Sequence, residues 1–418
     1  MAIELSDIIF TEQDDFVPLF GTEQIVNTGI TNTLAGDDRI NGFGDNGIEN
    51  LEGATFNTGD GNDLIAGEST STGTGILIFR SFLDTGNGND GVVGFSVASR
   101  DSVGILLFDA LLNAGDGNDA IQGFSSGTGI INTLGSILDT GEGNDGIRSA
   151  GFLGMSNHGI IITGSGEDVI LSTTEDLIGG SALRNYNYIG TGDGNDTLTT
   201  EGTIENEGSI NTGNGEDDII LENGIFINYG KVFLGDGNDS FLIDKDPGDP
   251  ALENFGDIET GDGNDIIFSS GAIDNHGGIN TGNGNDQIIV DGGVNGTGIG
   301  YGIYNNGSRI ETGDGNDTII AYDGFKSAPN SSGAWLLGEG DDYIKGFGSG
   351  DFYGGNGNDT LELTPGTYTV GIWGEGGESP IFTKGNQLMI TSEFERLIAG
   401  GTIYDFTSLT AGQIIVVA

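Results

Sequence analysis

The chain has no cysteine, six prolines and only 12 basic residues among 418. Without cysteine, disulfides, zinc–thiolate sites and thiol nucleophiles are excluded, so stability outside a cell would need another kind of cross-link. No apolar stretch reaches the ~18 residues that a membrane-spanning helix needs; the nearest, residues 104–112, is interrupted by Asp109. Residues 1–20 hold acids but no Lys or Arg, so we expect no Sec signal peptide at this end.

The charge is almost entirely of one sign. With 64 acidic and 12 basic residues, the formal net charge is −52. A compact chain of this charge repels itself unless cations bind at fixed places, and it also repels nucleic-acid phosphates. A hydrophobic fraction of 35% with 22 Phe is too apolar for a disordered acidic tail. These numbers favour a folded protein whose charge is offset by divalent cations, positively charged partners or saline surroundings, and they argue against binding to nucleic acid.

A five-residue motif, Gly-x-Gly-x-Asp, occurs thirteen times between Gly59 and Asp359. Its aspartates are 17 to 31 residues apart, and the separations cluster near 25. This period predicts an all-β fold, a single right-handed parallel β-solenoid of the β-helix or β-roll kind, with one three-stranded turn per about 25 residues. The thirteen aspartates are Asp63, Asp90, Asp119, Asp145, Asp168, Asp196, Asp217, Asp239, Asp265, Asp286, Asp317, Asp342 and Asp359.

Between the motifs, isoleucine alternates with polar residues, as in residues 204–213 and 273–282. Alternation with period two is typical of strands that bury one face. The alignment also predicts a column of asparagines at equivalent bends, with Asn157 one sector earlier and with Phe79 and Phe108 replacing Asn in two N-terminal turns. Two interpretations stay open: a ladder of amide hydrogen bonds, or asparagine tolerating a left-handed bend. The column comprises Asn185, Asn206, Asn228, Asn254, Asn275 and Asn305.

The ends of the array should differ from its middle, because a solenoid must cover its exposed apolar cross-sections. We therefore predict an N-terminal cap at residues 1–33, calcium-binding repeats at 34–362, and a C-terminal cap with a possible secretion signal at 363–418. The last segment keeps strand-like alternation at residues 367–370 but loses the motif.

Residues 337–345 and 354–362 resemble the RTX (haemolysin-type) nonapeptide Gly-Gly-x-Gly-x-Asp-x-U-x, and each earlier motif is similar to its core. Residues 394–401 resemble the segment that follows many RTX arrays. The resemblance implies that Ca²⁺ binds between stacked turns through the thirteen aspartate carboxylates and the carbonyls of the glycine bends, which supply the hard oxygens that calcium prefers. It further implies type I secretion directed by an uncleaved C-terminus.

The sequence departs from that family in its spacing. RTX nonapeptides run back to back, whereas this chain has one motif per turn, so we expect a single calcium column. The alternative is that the aspartates only cap bends through Asx-type bonds. Stacked carboxylates ~5 Å apart cost several kcal/mol without a cation, which favours calcium.

We predict no catalytic residues. His158 and His276 occupy repeat positions, and no His-Glu-x-x-His motif occurs. One alternative is a polysaccharide lyase or epimerase with a lateral site near Tyr301, Tyr304 and Arg309. A second is an ice-binding solenoid, although the threonine expected two residues before the motif asparagine is Asp, Asn, Glu or Ser here.

The favoured interpretation is a secreted, extracellular or surface protein that folds on binding calcium. Its expected role is structural, as a coat, matrix, filament or adhesin component, and not enzymatic. The expected partners are calcium ions, a second copy stacked head to tail, and cell-surface polysaccharide.

Overall fold

A computed structural model describes residues 2–17, 23–176, 180–245, 250–292, 301–328, 333–374 and 379–418. These residues form β-strands and two short 3-10 helices, Leu5–Asp7 and Phe406–Ser408. In this part of the chain, no helix is long and apolar enough to cross a membrane. The chain divides into two compact units, residues 1–218 and 219–418.

Each unit is a parallel β-solenoid, which confirms the predicted fold class. A turn contains three strands, and each strand pairs in parallel with the equivalent strand of the next turn. The strand that follows the Gly-x-Gly-x-Asp loop belongs to sheet II, the next to sheet I, and the third to sheet III, which leads into the next loop. In one turn these are Leu64–Ser69, Thr74–Phe79 and Phe82–Asp84.

In the first unit, the three sheets contain the following strands. Sheet I comprises Ala2–Glu4, Gln24–Asn27, Ile48–Asn50, Thr74–Phe79, Val103–Phe108, Thr128–Asn132, Leu153–Asn157, Ser181–Asn185 and Thr203–Asn206. Sheet II comprises Phe16–Val17, Arg39–Gly44, Leu64–Ser69, Gly91–Ser96, Ala120–Ser125, Gly146–Gly151, Val169–Thr174 and Thr197–Glu201. Sheet III comprises Ile30–Asn32, Thr55–Asn57, Phe82–Asp84, Leu111–Asn113, Ile137–Asp139, Ile160–Ile162, Tyr188–Asp193 and Ser209–Asn214.

The second unit continues the same three-sheet pattern. Sheet I comprises Phe226–Asn228, Leu252–Asn254, Ile273–Asn275, Ile303–Asn305 and Phe325–Ser327. Sheet II comprises Ser240–Asp244, Ile266–Ser269, Gln287–Val290, Thr318–Ala321, Tyr343–Lys345, Thr360–Leu363 and Arg396–Ala399. Sheet III comprises Lys231–Asp236, Asp257–Asp262, Gly278–Asn280, Arg309–Glu311, Ala334–Glu339, Gly350–Asn356 and Gln387–Ser392. The strand Asp218–Glu222 begins at the last residue of the first unit.

The C-terminal segment changes to antiparallel pairing. Gly366–Trp373 pairs with Ser379–Lys384 and with Ile414–Val417. Ser379–Lys384 pairs with Gln387–Ser392, and Arg396–Ala399 pairs with Thr402–Asp405.

The core consists of columns of apolar side chains, one column per sheet. In sheet I of the first unit, Ile48, Ile76 and Ile105 are in register, and each is at most 1% exposed. Because strand residues alternate between faces, one branched aliphatic per strand continues the column from turn to turn. Burying each such side chain contributes about 1.5–3 kcal/mol.

A buried asparagine column confirms the hydrogen-bonded ladder. Nδ2 of Asn157 donates to Oδ1 of Asn185 at 2.8 Å, and Nδ2 of Asn254 donates likewise to Asn275 at 2.8 Å. Each of these amides also donates to a backbone carbonyl, as Asn254 does to Gly278 at 2.9 Å. The side chains are therefore cross-links between turns.

Two predictions about this column are wrong. Asn157 is in direct register with Asn185, not one sector earlier. Ile78 and Leu107, not Phe79 and Phe108, occupy the asparagine position in the two apolar turns. The column also includes asparagines that the alignment missed, namely Asn27, Asn50 and Asn132.

Candidate metal centre

The thirteen motif aspartates lie in the loop between sheet III and sheet II, one per turn. Although they are charged residues in a loop, each is at most 3% exposed. The backbone around them is held in place by bonds to neighbouring turns, so the loops stack as closely as the strands do. The sequence-predicted residues are therefore brought into one buried column within each unit.

Two glycines make the loop possible. Gly86 and Gly88, in the loop of Asp90, have φ values of 93° and 144°. A Cβ on Gly86 would overlap the carbonyl oxygen of Gly59, and one on Gly88 would overlap that of Gly61. The motif therefore requires glycine twice, both for its left-handed backbone and for the close approach of the preceding loop.

Hydrogen bonds join the aspartates into a ladder of one polarity. The backbone N–H of each donates to Oδ1 of the aspartate one turn later: Asp63 to Asp90 at 2.7 Å and Asp286 to Asp317 at 2.8 Å. In the first unit the ladder runs from Asp15 to Asp217, and in the second from Asp239 to Glu395. One carboxylate oxygen per turn is thus used to hold the loops in register.

In twelve of these aspartates the other oxygen, Oδ2, is buried without a hydrogen-bond partner. The hydroxyl of Thr85 lies near the carboxylate of Asp90. It donates its proton to the carbonyl of Ala114 at 2.8 Å, so it does not supply a hydrogen bond to Oδ2. Buried polar atoms are nearly always partnered in native proteins, so a repeated exception points to a missing ligand. The aspartates with this orphan oxygen are Asp38, Asp63, Asp90, Asp119, Asp145, Asp168, Asp196, Asp265, Asp286, Asp317, Asp342 and Asp359.

Burial and mutual repulsion disfavour the charged carboxylates. Burial raises the pKa of Asp90 to about 7, and the charges of Asp63 and Asp119 act in the same direction. Burial likewise raises the pKa of Asp286 to about 7 and of Asp317 to about 6. At neutral pH such a column is stabilised by protons or by bound cations.

Asp38 is a member of the ladder that the sequence search missed. Its N–H donates to Oδ1 of Asp63 at 2.7 Å, and its own Oδ2 is unpartnered. In this turn Leu34, at φ 81°, replaces the first glycine, so the full motif is absent. The residues Gly36–Ile40 still carry the later part of the motif, Gly-x-Asp-x-Ile, which is the signal that could have found it.

Outside the aspartate ladder, the same loops present two exposed polar columns. The residue before each ladder aspartate forms one column: the N–H of Asn89 donates to Oδ1 of Asn62 at 2.9 Å. The residue between the two glycines forms the other: Nδ2 of Asn87 donates to Oδ1 of Asp60 at 2.6 Å. These side chains hold one another in place at the solvent edge.

The residues present fit calcium in the kind of donor that they offer, which is oxygen throughout. Among the described residues, no three His, Cys, Asp or Glu side chains converge on one point as a metal-binding cluster. A cation in the column would therefore take its carboxylate ligands from the ladder and the rest of its six to eight oxygens from the backbone of the glycine bends.

The residues predicted for the alternative lateral site are divided: the two tyrosines lie together, and the arginine lies on another sheet. The ring of Tyr301 is 5.3 Å from that of Tyr304, and Nζ of Lys326 is 4.9 and 5.2 Å from the two ring centres. Arg309 lies on sheet III instead, where its guanidinium is 3.1 Å from the carboxylate of Glu311. Burial raises the pKa of Tyr301 to about 12, so its phenol stays protonated at neutral pH.

Both histidines are accounted for by stacking at the bend after the asparagine column. His158 stacks on Tyr186 with ring centres 4.3 Å apart, and His276 stacks on Phe255 at 4.8 Å. His276 also lies 2.9 Å from the carboxylate of Asp274. These contacts stack the aromatic rings of neighbouring turns on one another.

No protein-family model matches this chain, and no curated protein matches it. One solved structure that it resembles is a hyperactive, Ca²⁺-dependent, β-helical antifreeze protein from an Antarctic bacterium. The two are 21% identical, and the match covers 74% of this chain and 84% of that one with a TM-score of 0.44.

Proposed function

We propose that this protein is a secreted, calcium-binding β-solenoid with a structural or surface role, and that its folding is coupled to calcium. The observation that carries the proposal is the ladder of buried carboxylates with a repeated unpartnered Oδ2. The charge supports it as well, because a net charge of −52 must be offset before the chain can stay compact.

Calcium suits this column better than magnesium. Mg²⁺ requires near-ideal octahedral geometry and keeps several waters, whereas Ca²⁺ accepts six to eight oxygens in flexible geometry. The thirteen motif aspartates are at most 3% exposed, and the glycine bends pack directly on one another. Such a dry site, lined by carboxylate and carbonyl oxygens, favours a cation that gives up its hydration shell.

Coupled folding follows from the charge of the unfilled column. Without cations, the carboxylates of each unit must be desolvated side by side, which opposes folding. With cations bound, the same carboxylates cross-link successive turns, so binding free energy becomes folding free energy. A chain of this design stays expanded where calcium is scarce and folds where it is abundant, which suits export before folding.

The structural role rests on the regularity of the molecule. The same three-strand turn and aspartate rung repeat through both units, and the arginine predicted for the lateral site near Tyr301 lies on a different sheet from Tyr304. A coat, matrix, filament or adhesin component needs such a repeating surface. We propose self-association and binding to cell-surface polysaccharide as its interactions, and sedimentation of the calcium-loaded protein with and without polysaccharide tests both.

The test of the calcium proposal is a reversible titration. Purified protein is stripped of calcium, and its β-content and melting temperature are followed by circular dichroism as CaCl₂ is added and then removed with EGTA; MgCl₂ serves as the control. We expect β-structure to form with calcium and to be lost with EGTA. Full β-content and an unchanged melting temperature in excess EGTA would contradict the proposal.

Ice binding is the second candidate function. In its favour, the exposed column before the ladder aspartates is asparagine in most turns and is held in place by bonds such as Asn118 N–H to Asn89 Oδ1 at 2.8 Å. The adjacent column, however, carries carboxylates such as Asp60 and Asp116 where threonine was expected. A thermal-hysteresis assay of the calcium-loaded protein distinguishes the two functions, because only ice binding depresses the freezing point without affecting melting.

A further inference from the structure

All hydrogen bonds of the aspartate ladder run in the same direction along the chain. The N–H of its last aspartate therefore needs an acceptor from outside the motif. Each rung donates its N–H to the carboxylate of the next turn, and Asp342 donates in this way to Oδ1 of Asp359 at 2.9 Å. No further motif follows Asp359 in the sequence. Its N–H donates instead to Oε2 of Glu395 at 2.8 Å.

Glu395 occupies the position of the next rung. The strand Arg396–Ala399 pairs in parallel with Thr360–Leu363, and the carbonyl of Asp359 accepts hydrogen bonds from the N–H groups of Glu395 and Arg396 at 3.2 and 3.0 Å. Every ladder aspartate precedes a sheet II strand in the same way. The longer glutamate side chain thus replaces aspartate at the point where the repeat ends.

The loop at this rung is shorter than the loops of the repeat and contains a buried aromatic residue. Ser392 pairs with Tyr353, so residues 393–394 replace the five residues, 354–358, of the preceding loop. Phe394 is 6% exposed and stacks on Phe406 with ring centres 5.7 Å apart. The shortened loop therefore buries an aromatic side chain, while the carboxylate position is retained.

A second, independent feature points to a ligand here. Asp359 is fully buried, and its Oδ2 has no hydrogen-bond partner. A Cβ on Gly354 would lie 2.7 Å from this Oδ2 and would overlap the carbonyl oxygen of Glu393. Both oxygens therefore converge on the space beside Gly354, next to the carboxylate that binds the Asp359 N–H.

Hydrogen bonding alone does not account for an acid at position 395. A neutral acceptor such as Gln would receive the Asp359 N–H without placing a second charge beside a buried carboxylate. Glu393 and Asp341 add further negative charge around Asp359. An anionic side chain is favourable in these surroundings if a cation lies between it and Asp359.

We infer that Glu395 is the last ligand of the ladder, and that a divalent cation held by Asp359 Oδ2, the Glu393 carbonyl and the Glu395 carboxylate ties the C-terminal segment to the solenoid. This inference rests on the proposed calcium binding. It adds a terminal site in which Glu393 and Glu395, two residues outside the repeat, complete the surroundings of the last motif aspartate, and it makes the docking of residues 396–417 calcium-dependent.

The test compares two single variants of the full chain. Glu395→Gln keeps the acceptor for the Asp359 N–H but removes the ligand charge, and the control Asp314→Asn removes the charge of an exposed carboxylate outside the ladder. Calcium stoichiometry is measured by calorimetry, and amide exchange of residues 396–417 by mass spectrometry at limiting calcium. We expect E395Q to bind one calcium fewer and to exchange at least about tenfold faster in this segment, with D314N like the wild type.

The other outcomes show whether the terminal site alone, or calcium binding as a whole, is absent. If E395Q keeps the wild-type stoichiometry and exchange, or if D314N loses as much as E395Q, the terminal site does not exist and Glu395 is a hydrogen-bond cap. If the wild type binds no calcium, both the proposed function and the terminal site fall. Exchange of residues 396–417 in the wild type that is equally slow with and without calcium also overturns the inference, and this arm needs no variant.

Discussion

The backbone N–H of Asp286 donates to Oδ1 of Asp317, 2.8 Å away and 31 residues later in the chain. The second oxygen of Asp317 is buried and has no hydrogen-bond partner. One side chain therefore does two things: Oδ1 fixes the register of two neighbouring loops, and Oδ2 is left available for a cation. The two roles can be separated by substitution.

Asp317→Asn keeps the acceptor for Asp286 and removes the charge. In calcium we expect one bound ion fewer and a loss of about 1–3 kcal/mol, which lowers the melting temperature by roughly 2–10 °C for a unit of this size. In EGTA we expect a melting temperature equal to or above that of the wild type, because a buried like charge is gone. Calorimetry in both buffers measures this reversal.

The matched control for this variant is Asp314→Asn in the same loop. Asp314 is exposed and lies outside the ladder, so its substitution should change neither calcium stoichiometry nor melting temperature beyond about 0.5 kcal/mol. Equal losses in the two variants would mean that overall charge, and not the ladder position, determines binding.

The calcium-free protein should be more stable in mild acid. Burial raises the pKa of Asp90, Asp145, Asp286 and Asp342 to about 7, whereas an aspartate in the unfolded chain titrates near 3.8. Between these values the folded state binds more protons, so its stability rises as the pH falls from about 7 to about 4. Melting of calcium-stripped protein at several pH values in this window should show the rise.

With saturating calcium the dependence should reverse, since protons and calcium compete for the same carboxylates. The melting temperature then falls as the pH is lowered, and the two curves approach each other at acid pH. A calcium-free protein that loses stability on acidification would contradict the assignment of raised pKa values to the ladder.

The repeated loops could be predicted from the sequence because glycine at two positions of each motif has no substitute there. That constraint also explains what was missed. Asp38 escaped detection because Leu34 adopts the left-handed backbone that glycine provides in later loops. Glu395 escaped because its rung is defined by strand pairing with residues 36 positions earlier, and no local motif reports such pairing.

The error in the asparagine column has a different origin. In Gly75–Phe79 both faces of the strand are apolar, so alternation does not reveal which residues point inward. Aligning on Phe79 in place of Ile78 shifts the register by one residue and exchanges the faces. Ile78 is fully buried, while Phe79 lies partly exposed and stacks on Phe108 at 5.2 Å.

Asn254→Ala tests the energetic contribution of the asparagine ladder. The amide of Asn254 donates to Oδ1 of Asn275 at 2.8 Å and to the carbonyl of Gly278 at 2.9 Å. Removing it strips two acceptors of a donor, at about 1–3 kcal/mol each. We expect a loss of roughly 2–5 kcal/mol in urea unfolding, with calcium stoichiometry unchanged.

Asn280→Ala is the control, because Asn280 is exposed on sheet III. Its effect should stay within about 0.5 kcal/mol. If Asn254→Ala is equally mild, the ladder would be a consequence of the turn geometry and not a source of stability.

Gly284→Ala should be strongly destabilising in the second unit. Gly284 has φ 139°, and a Cβ there would overlap the carbonyl oxygen of Gly263 in the preceding loop. Relief requires the two loops to separate, which also breaks the ladder bond from Asp265 to Asp286. We expect a loss above about 4 kcal/mol, seen as little soluble protein or as a large fall in both melting temperature and calcium affinity.

Gly385→Ala measures the cost of left-handed backbone strain at a position where no neighbouring loop lies close to the added methyl group. Gly385 also has a left-handed backbone, with φ 62°, but nothing lies within 4 Å of a Cβ placed there. Its substitution should cost only the about 1–2 kcal/mol of left-handed strain and leave calcium binding unchanged. Equal melting temperatures for the two variants would mean that the loop glycines are needed for their backbone angle alone. The close stacking of the loops, which buries the carboxylates, would then not restrict the residue types of the motif.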